Sequence, residues 1–343
     1  MKVLRTSLPL AFLVACSSAT TALPGQPDAG AGPDQTPGSD SGTPGTPGTP
    51  QKDASAPGAD GAPGADGSPG GKVTTVFTIL MENHDYNEIV GSPNAPYFNS
   101  LIASYGLATN YMDSGVHPSL PNYLMMASGA TQFGGGSDPN PTQSPFPVAS
   151  AHLGTQLQAA GVPWRAYDES MGTACKLSPS GSYAPKHDPF LYFTDIQSGP
   201  NNLCAKTNVD YGGFPADLAA GTYRFMWITP NLINDGHDPA FNPAAALQAS
   251  DAWAKIEVGK IMASPAYLNG GVIFLTWDEA EGRNGNSRDQ VPMIVISLRI
   301  KAPGFKSAKA YSHKSYLATV EDILGLPRLD TVKNEPNMME FFQ

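Results

Sequence analysis

The stretch Val73-Thr-Thr-Val-Phe-Thr-Ile-Leu-Met81 decides the fold. It is almost entirely apolar or β-branched and about as long as a strand, which is how a strand buried on both faces reads. Residues 223–229 (YRFMWIT) and 271–277 (GVIFLTW) repeat the pattern, and 164–167 and 292–297 carry shorter versions. Between these runs the apolar spacing becomes helical over 96–105, 120–128, 152–160, 244–263 and 316–324, with Gly129 and Gly161 placed as stops. Strands alternating with helices predict an α/β fold with a mostly parallel sheet covered on both faces. Such sheets hold their ligands at the carboxyl ends of the strands.

Upstream of this domain the composition changes. Lys2 and Arg5, an apolar run over 8–15 and Leu13-Val-Ala-Cys16 have the form of a secretory signal, too short to span a bilayer core of about 30 Å. Leu-Val-Ala-Cys resembles the lipobox of bacterial lipoproteins, so Cys16 is the expected lipidation site and mature N-terminus; an ordinary signal with a chance cysteine is the plain alternative. Acyl chains there would hold the protein on the cell envelope, at the outer membrane in a Gram-negative cell, for which Ser17 is suitable; release as a secreted protein is the other destination. Residues 17–72 are Pro, Gly, Ala, Ser, Thr and Asp with almost nothing large and apolar, and cannot offset their ordering entropy by burial. Glycine keeps no strict third-residue register, so this is a disordered tether rather than collagen. The folded part is then 73–343.

Net charge is −10, and with Lys2, Arg5 and the six Asp and two Lys of 17–72 set aside, the domain carries −8. That argues against nucleic-acid binding, which needs a basic face. Setting aside Cys16 leaves Cys175 and Cys204, an even remainder that suggests one disulfide in an exported chain, two free thiols being the alternative.

Chemistry-bearing motifs follow the strands. Glu82-Asn83-His84-Asp85 continues the run 73–81 and offers hard oxygen ligands for a divalent cation. His117-Pro-Ser119-Leu-Pro-Asn122-Tyr123 puts a serine at a helix start, where free N–H groups and the helix dipole favour an anion; a plain N-cap is the competing reading. Asp278-Glu279 ends the run 271–277, and adjacent carboxylates repel unless a cation or proton lies between them. His187 in Lys186-His-Asp-Pro-Phe190, His237 in Asn234-Asp-Gly-His-Asp238 and His313 in Ser312-His313 lie in polar stretches, whereas His152 at a helix start reads as structural.

In this order the motifs resemble those of the phosphoesterase family, which holds bacterial acid phosphatases and phospholipases C, and they look most like its acid phosphatase and phosphatidylinositol-3-phosphatase branch. The resemblance spans 73–327. It implies a three-layer α/β/α sandwich of the alkaline phosphatase type. It implies a divalent cation (zinc, calcium or magnesium) on Glu82, Asn83, Asp278 and Glu279, with Ser119 as the nucleophile that also touches the ion. Asn83, His117, His187, His237 and His313 fall where substrate is held, and His117, His237 and His313 where a leaving group is protonated. Some members carry Asp where Glu279 stands. The expected activity is phosphomonoester hydrolysis through a phosphoserine, on phosphoinositides or another phosphate ester, with the membrane as a partner through the N-terminal lipid. The rival readings are a phospholipase C-type phosphodiesterase using the same site and an inactive cation- or ligand-binding surface lipoprotein.

Overall fold

The apolar run forms β1 (Thr75–Met81), buried at every position. In the computed structural model, residues 72–343 are described except 284–288; the expected signal segment, Cys16 and the tether up to residue 71 lie outside the described residues. Strand β1 sits at the centre of the main sheet, parallel to β6 (Phe225–Thr229) on one side and β7 (Gly271–Trp277) on the other. The remaining strands are β2 (Gly106–Ala108), β3 (Tyr111–Met112), β4 (Trp164–Asp168), β5 (Asn208–Asp210), β8 (Met293–Ser297), β9 (Phe305–Ser307) and β10 (Tyr311–Ser312). Eight strands pair in the order β5-β4-β6-β1-β7-β8-β2-β9, while β3 and β10 form a separate parallel ribbon. Strand β8 runs antiparallel to both β7 and β2, and the other pairings are parallel. A parallel return needs a long crossover, usually a helix, and the stretch between Trp277 and Met293 has no helical apolar spacing.

Both faces of the sheet are covered. Phe274 and Trp277 are three apart on β7, so their side chains point to opposite faces. Trp277 packs edge-on against Phe98 of helix Pro96–Ser104, and Phe274 against Tyr316 of helix His313–Leu324. The first of these helices packs on the 20-residue helix Pro243–Met262, the second on Leu120–Ser128. Three layers follow, as expected from the alternating pattern. The helix Leu120–Ser128 has its expected bounds and ends at Gly129, whose φ of 71° is a left-handed conformation that glycine adopts without a Cβ penalty. Among the described residues no helix is long and apolar enough to cross a membrane. Cys175 and Cys204 are disulfide-bonded with Cα atoms 5.4 Å apart, tying the chain after β4 to helix Leu203–Thr207.

Candidate active site

Because β6, β1 and β7 are adjacent and parallel, their carboxyl ends open on one edge. The register Met81↔Trp277 sets Glu82 beside Asp278. Backbone bonds lace the three exits together: Asp278 N–H donates to Met81 C=O at 3.0 Å and Glu82 N–H to Asp235 C=O at 2.9 Å. A clasp holds the next residues. Asp85 accepts the N–H groups of Glu281 (2.6 Å), Gly282 (2.9 Å) and Arg283 (2.5 Å), and Arg283 Nη1 donates to Asn83 C=O at 2.8 Å. Asn83 itself is held at φ 46°, a costly conformation for a residue other than glycine.

Glu82, Asp278 and Asp235 are fully buried, and Glu279 nearly so. Burial first, and then their mutual repulsion, pushes the Glu82, Asp235 and Asp278 carboxyls far above the usual carboxylate range; burial also raises Glu279. One terminal atom of the Asn83 amide lies 3.0 Å from Glu82 Oε2 and 3.3 Å from Asp278 Oδ1. With nitrogen there it donates to both; with oxygen there three oxygens converge as around a cation. Asp278 Oδ2 is buried with no hydrogen-bond partner. These groups can hold a divalent cation.

Ser119 is 1 % exposed and its hydroxyl makes no cap; it donates to Glu82 Oε2 at 2.9 Å. The N-cap reading of this serine fails for that reason. The open helix N-terminus expected beside it is partly occupied, because Leu120 N–H donates to Asp138 Oδ1 at 3.0 Å. The other Asp138 oxygen accepts Lys186 Nζ at 2.7 Å. Burial works to lower the Lys186 pKa, but the charges of Glu82 and Asp138 prevail and raise it, so this lysine stays a cation facing the carboxylates. Neither Lys186 nor Asp138 stands out in the sequence. Tyr123, one helical turn past Ser119, donates its hydroxyl to Glu82 Oε1 at 2.5 Å.

The histidines separate into distinct settings. His117 Nδ1 lies 2.6 Å from Glu279 Oε2, and that hydrogen bond raises its pKa against the opposing effect of burial. The same Glu279 oxygen accepts Asn122 Nδ2 at 3.2 Å, so one oxygen of this expected ligand is committed to His117 and Asn122. His187 is 1 % exposed between Glu82 and Asp235. His237 is partly exposed, with Nδ1 3.0 Å from Asp238 Oδ1. His313, expected at the substrate, lies beneath the Asp278 turn. It is fully buried, Nε2 meets the Asp278 C=O at 2.6 Å, and Nδ1 meets Tyr111 Oη at 3.0 Å, so both nitrogens are spent inside the protein. His84 pairs with Glu88 at 3.3 Å, and His152 caps a helix as expected. A cleft of about 550 Å³ that includes Trp164, Arg165, Asn201 and Tyr223 contains none of the motif residues.

The doubly covered, mostly parallel sheet, with a buried serine and acidic groups at its carboxyl edge, is an α/β fold with its polar groups where such sheets hold ligands. A solved protein of the alkaline phosphatase superfamily from Vibrio parahaemolyticus shares the fold, with a TM-score of 0.50 at 11% identity over 76% of this chain and 69% of that one. The chain belongs to the Phosphoesterase family, whose model matches residues 92–327, and it is a hydrolase acting on phosphate esters. It is 29% identical over 272 residues to the phosphatidylinositol-3-phosphatase of Mycobacterium tuberculosis, covering 78% of this chain and 82% of that one. It is 27% identical to a probable acid phosphatase of Kluyveromyces lactis over 77% of this chain, which spans 61% of the yeast protein.

Proposed function

We propose that the chain is a metal-dependent phosphomonoesterase of acid phosphatase type that works through a phosphoserine at Ser119. The single observation that carries this is the Ser119 hydroxyl, buried and bonded to Glu82 among carboxylates that raise one another's pKa. Glu82, Asn83, Asp278 and Ser119 would hold the ion, with Glu279 at its margin, and once bound it would lower the pKa of the serine hydroxyl and offset phosphoryl charge. Ser119 Oγ would attack phosphorus as the ester P–O bond breaks, its hydroxyl proton having passed to solvent when the serine became a ligand. His117, kept protonated by Glu279, and Lys186 face the transferred group as cations, and His117 is the candidate proton donor to the leaving oxygen. His187 and the partly exposed His237 line the same edge, and His313 positions Asp278 through its carbonyl. Water then cleaves the phosphoserine. The name of the mycobacterial relative supports phosphoinositides as a substrate class.

We further propose an exported protein, lipidated at Cys16 and carrying its catalytic domain over 73–343. The disulfide supports an oxidising compartment. The test is phosphate release from p-nitrophenyl phosphate, with and without divalent metal, against p-nitrophenylphosphorylcholine. Metal-dependent turnover of the monoester is expected. Preference for the diester favours the phospholipase C reading, and no turnover with any metal removes the hydrolytic mechanism.

A further inference from the structure

We propose that Glu82 Oε1, His187 and Asp235 form a second divalent-cation site, separate from the one around Ser119 and built on the opposite oxygen of the same glutamate. The inference rests on the phosphatase reading above for its role, not for its geometry.

The three residues present ligand atoms within 4.8 Å of one another. His187 Nε2 lies 3.2 Å from Glu82 Oε1, and Nδ1 lies 3.5 Å from Asp235 Oδ2. Neither contact has hydrogen-bond geometry, and both His187 Nε2 and Asp235 Oδ2 are buried without a hydrogen-bond partner. His187 is 1 % and Asp235 0 % exposed, so bulk water does not satisfy these atoms. Such orphans are rare because each costs roughly 1–3 kcal/mol.

Relaxation by rotation is blocked. The His187 ring stacks on Tyr123 at 5.0 Å and 4°, and its carbonyl accepts Thr229 Oγ1 at 3.0 Å. The Asp235 carboxylate is pinned through Oδ1, which accepts His237 N–H at 2.8 Å. A neutral imidazole has one N–H for the two carboxyl groups it faces, and neither contact is a hydrogen bond. A cation among the three atoms turns each orphan into a ligand. Among the described residues the other group of this kind is Asp113, His117 and Asp289; His117 Nε2 is an orphan there too, but both Asp113 oxygens already accept N–H groups, from Gly115 and Ala280.

Ligand chemistry separates the two sites. The Ser119 side offers only oxygens, suited to magnesium or calcium. One imidazole and two carboxylates suit a borderline ion such as zinc or manganese, and three protein ligands leave a position open for water or a phosphoryl oxygen. Glu82 then bridges the two ions, as carboxylates do in two-metal hydrolases.

The experiment uses the full chain stripped of metal, reloaded with zinc plus magnesium, and assayed for bound metal per chain by mass spectrometry. A parallel sample takes cobalt(II), whose visible absorption reports an imidazole ligand. The parent is expected to hold two ions. His187→Gln and Asp235→Asn, each checked for native circular dichroism, are expected to hold one and to lose the cobalt band, whereas Asp278→Asn keeps it. A parent that binds one ion, retained in both His187→Gln and Asp235→Asn and lost in Asp278→Asn, overturns this proposal alone. A parent that binds none overturns the catalytic cation as well.

Discussion

Tyr123→Phe removes one oxygen from the protein and nothing else. The ring that stacks on His187 at 5.0 Å stays, as does the helix Leu120–Ser128. What is lost is the hydroxyl donor 2.5 Å from Glu82 Oε1, on a carboxylate that is fully buried. A hydrogen bond to a charged group contributes about 1.5–3 kcal/mol, and at about 1.4 kcal/mol per tenfold this is roughly a 10- to 100-fold effect. The same range is typical when a group that orients a metal ligand is removed. The loss falls on the ionised form of Glu82, which is the form that binds a cation. Tyr123→Phe is therefore expected to weaken divalent-metal affinity about 10- to 100-fold by calorimetric titration of the stripped protein, with kcat/KM on p-nitrophenyl phosphate restored when metal is raised in proportion. Metal affinity within threefold of the parent would refute the reasoning, because Glu82 would then need no oriented donor.

Three other outcomes follow from the geometry. Ser119→Ala is expected to lower kcat by on the order of 10³-fold or more, and acid-quenched parent, but not the variant, should carry a phosphoserine by mass spectrometry. Replacing Cys175 and Cys204 together by Ala opens a 29-residue separation, for which the chain-entropy relation gives about 3.5 kcal/mol; calorimetry should show a melting temperature roughly 10 °C lower. Burial pushes His313 down to about 4, below its unfolded value, so the unfolded chain binds this proton first. The stability it provides is complete at neutral pH and is lost as pH falls from about 6.5 to 4, at about 1.4 kcal/mol per unit. Urea unfolding of parent and His313→Gln should differ by that slope over this range, whatever the other groups contribute to both.

How far the sequence carries the argument can be seen residue by residue. The runs that became β1, β6 and β7 are long, apolar and bounded by polar turns, and the bounds of 271–277 are reproduced exit and all. The two- and three-residue strands β2, β3, β5, β9 and β10 are too short to show a period of two and left no trace. The reversed direction of β8 went unread, because the run 292–297 looks the same in either direction. At the site, residues adjacent to strand exits were legible because position and chemistry coincide, as at Glu82 and Asp278. Tyr123 was not, because an aromatic in an apolar helix reads as core until a buried carboxylate is seen beside its hydroxyl. Asp138 and Lys186 meet across 48 positions, a pairing that only folding creates. His313 is the opposite case. A histidine in a polar stretch looks available, but it opens the helix His313–Leu324 and is sealed beneath the Asp278 turn.

The three N–H groups gathered by Asp85 have a consequence for how this architecture tolerates change. They fasten the exits of β1 and β7 to each other at Arg283, before the chain goes on to β8. The spacing of Glu82 and Asp278 is therefore braced twice, by this knot and by the Asp278 N–H bond to the Met81 carbonyl, so a change at either brace alone leaves the other in place.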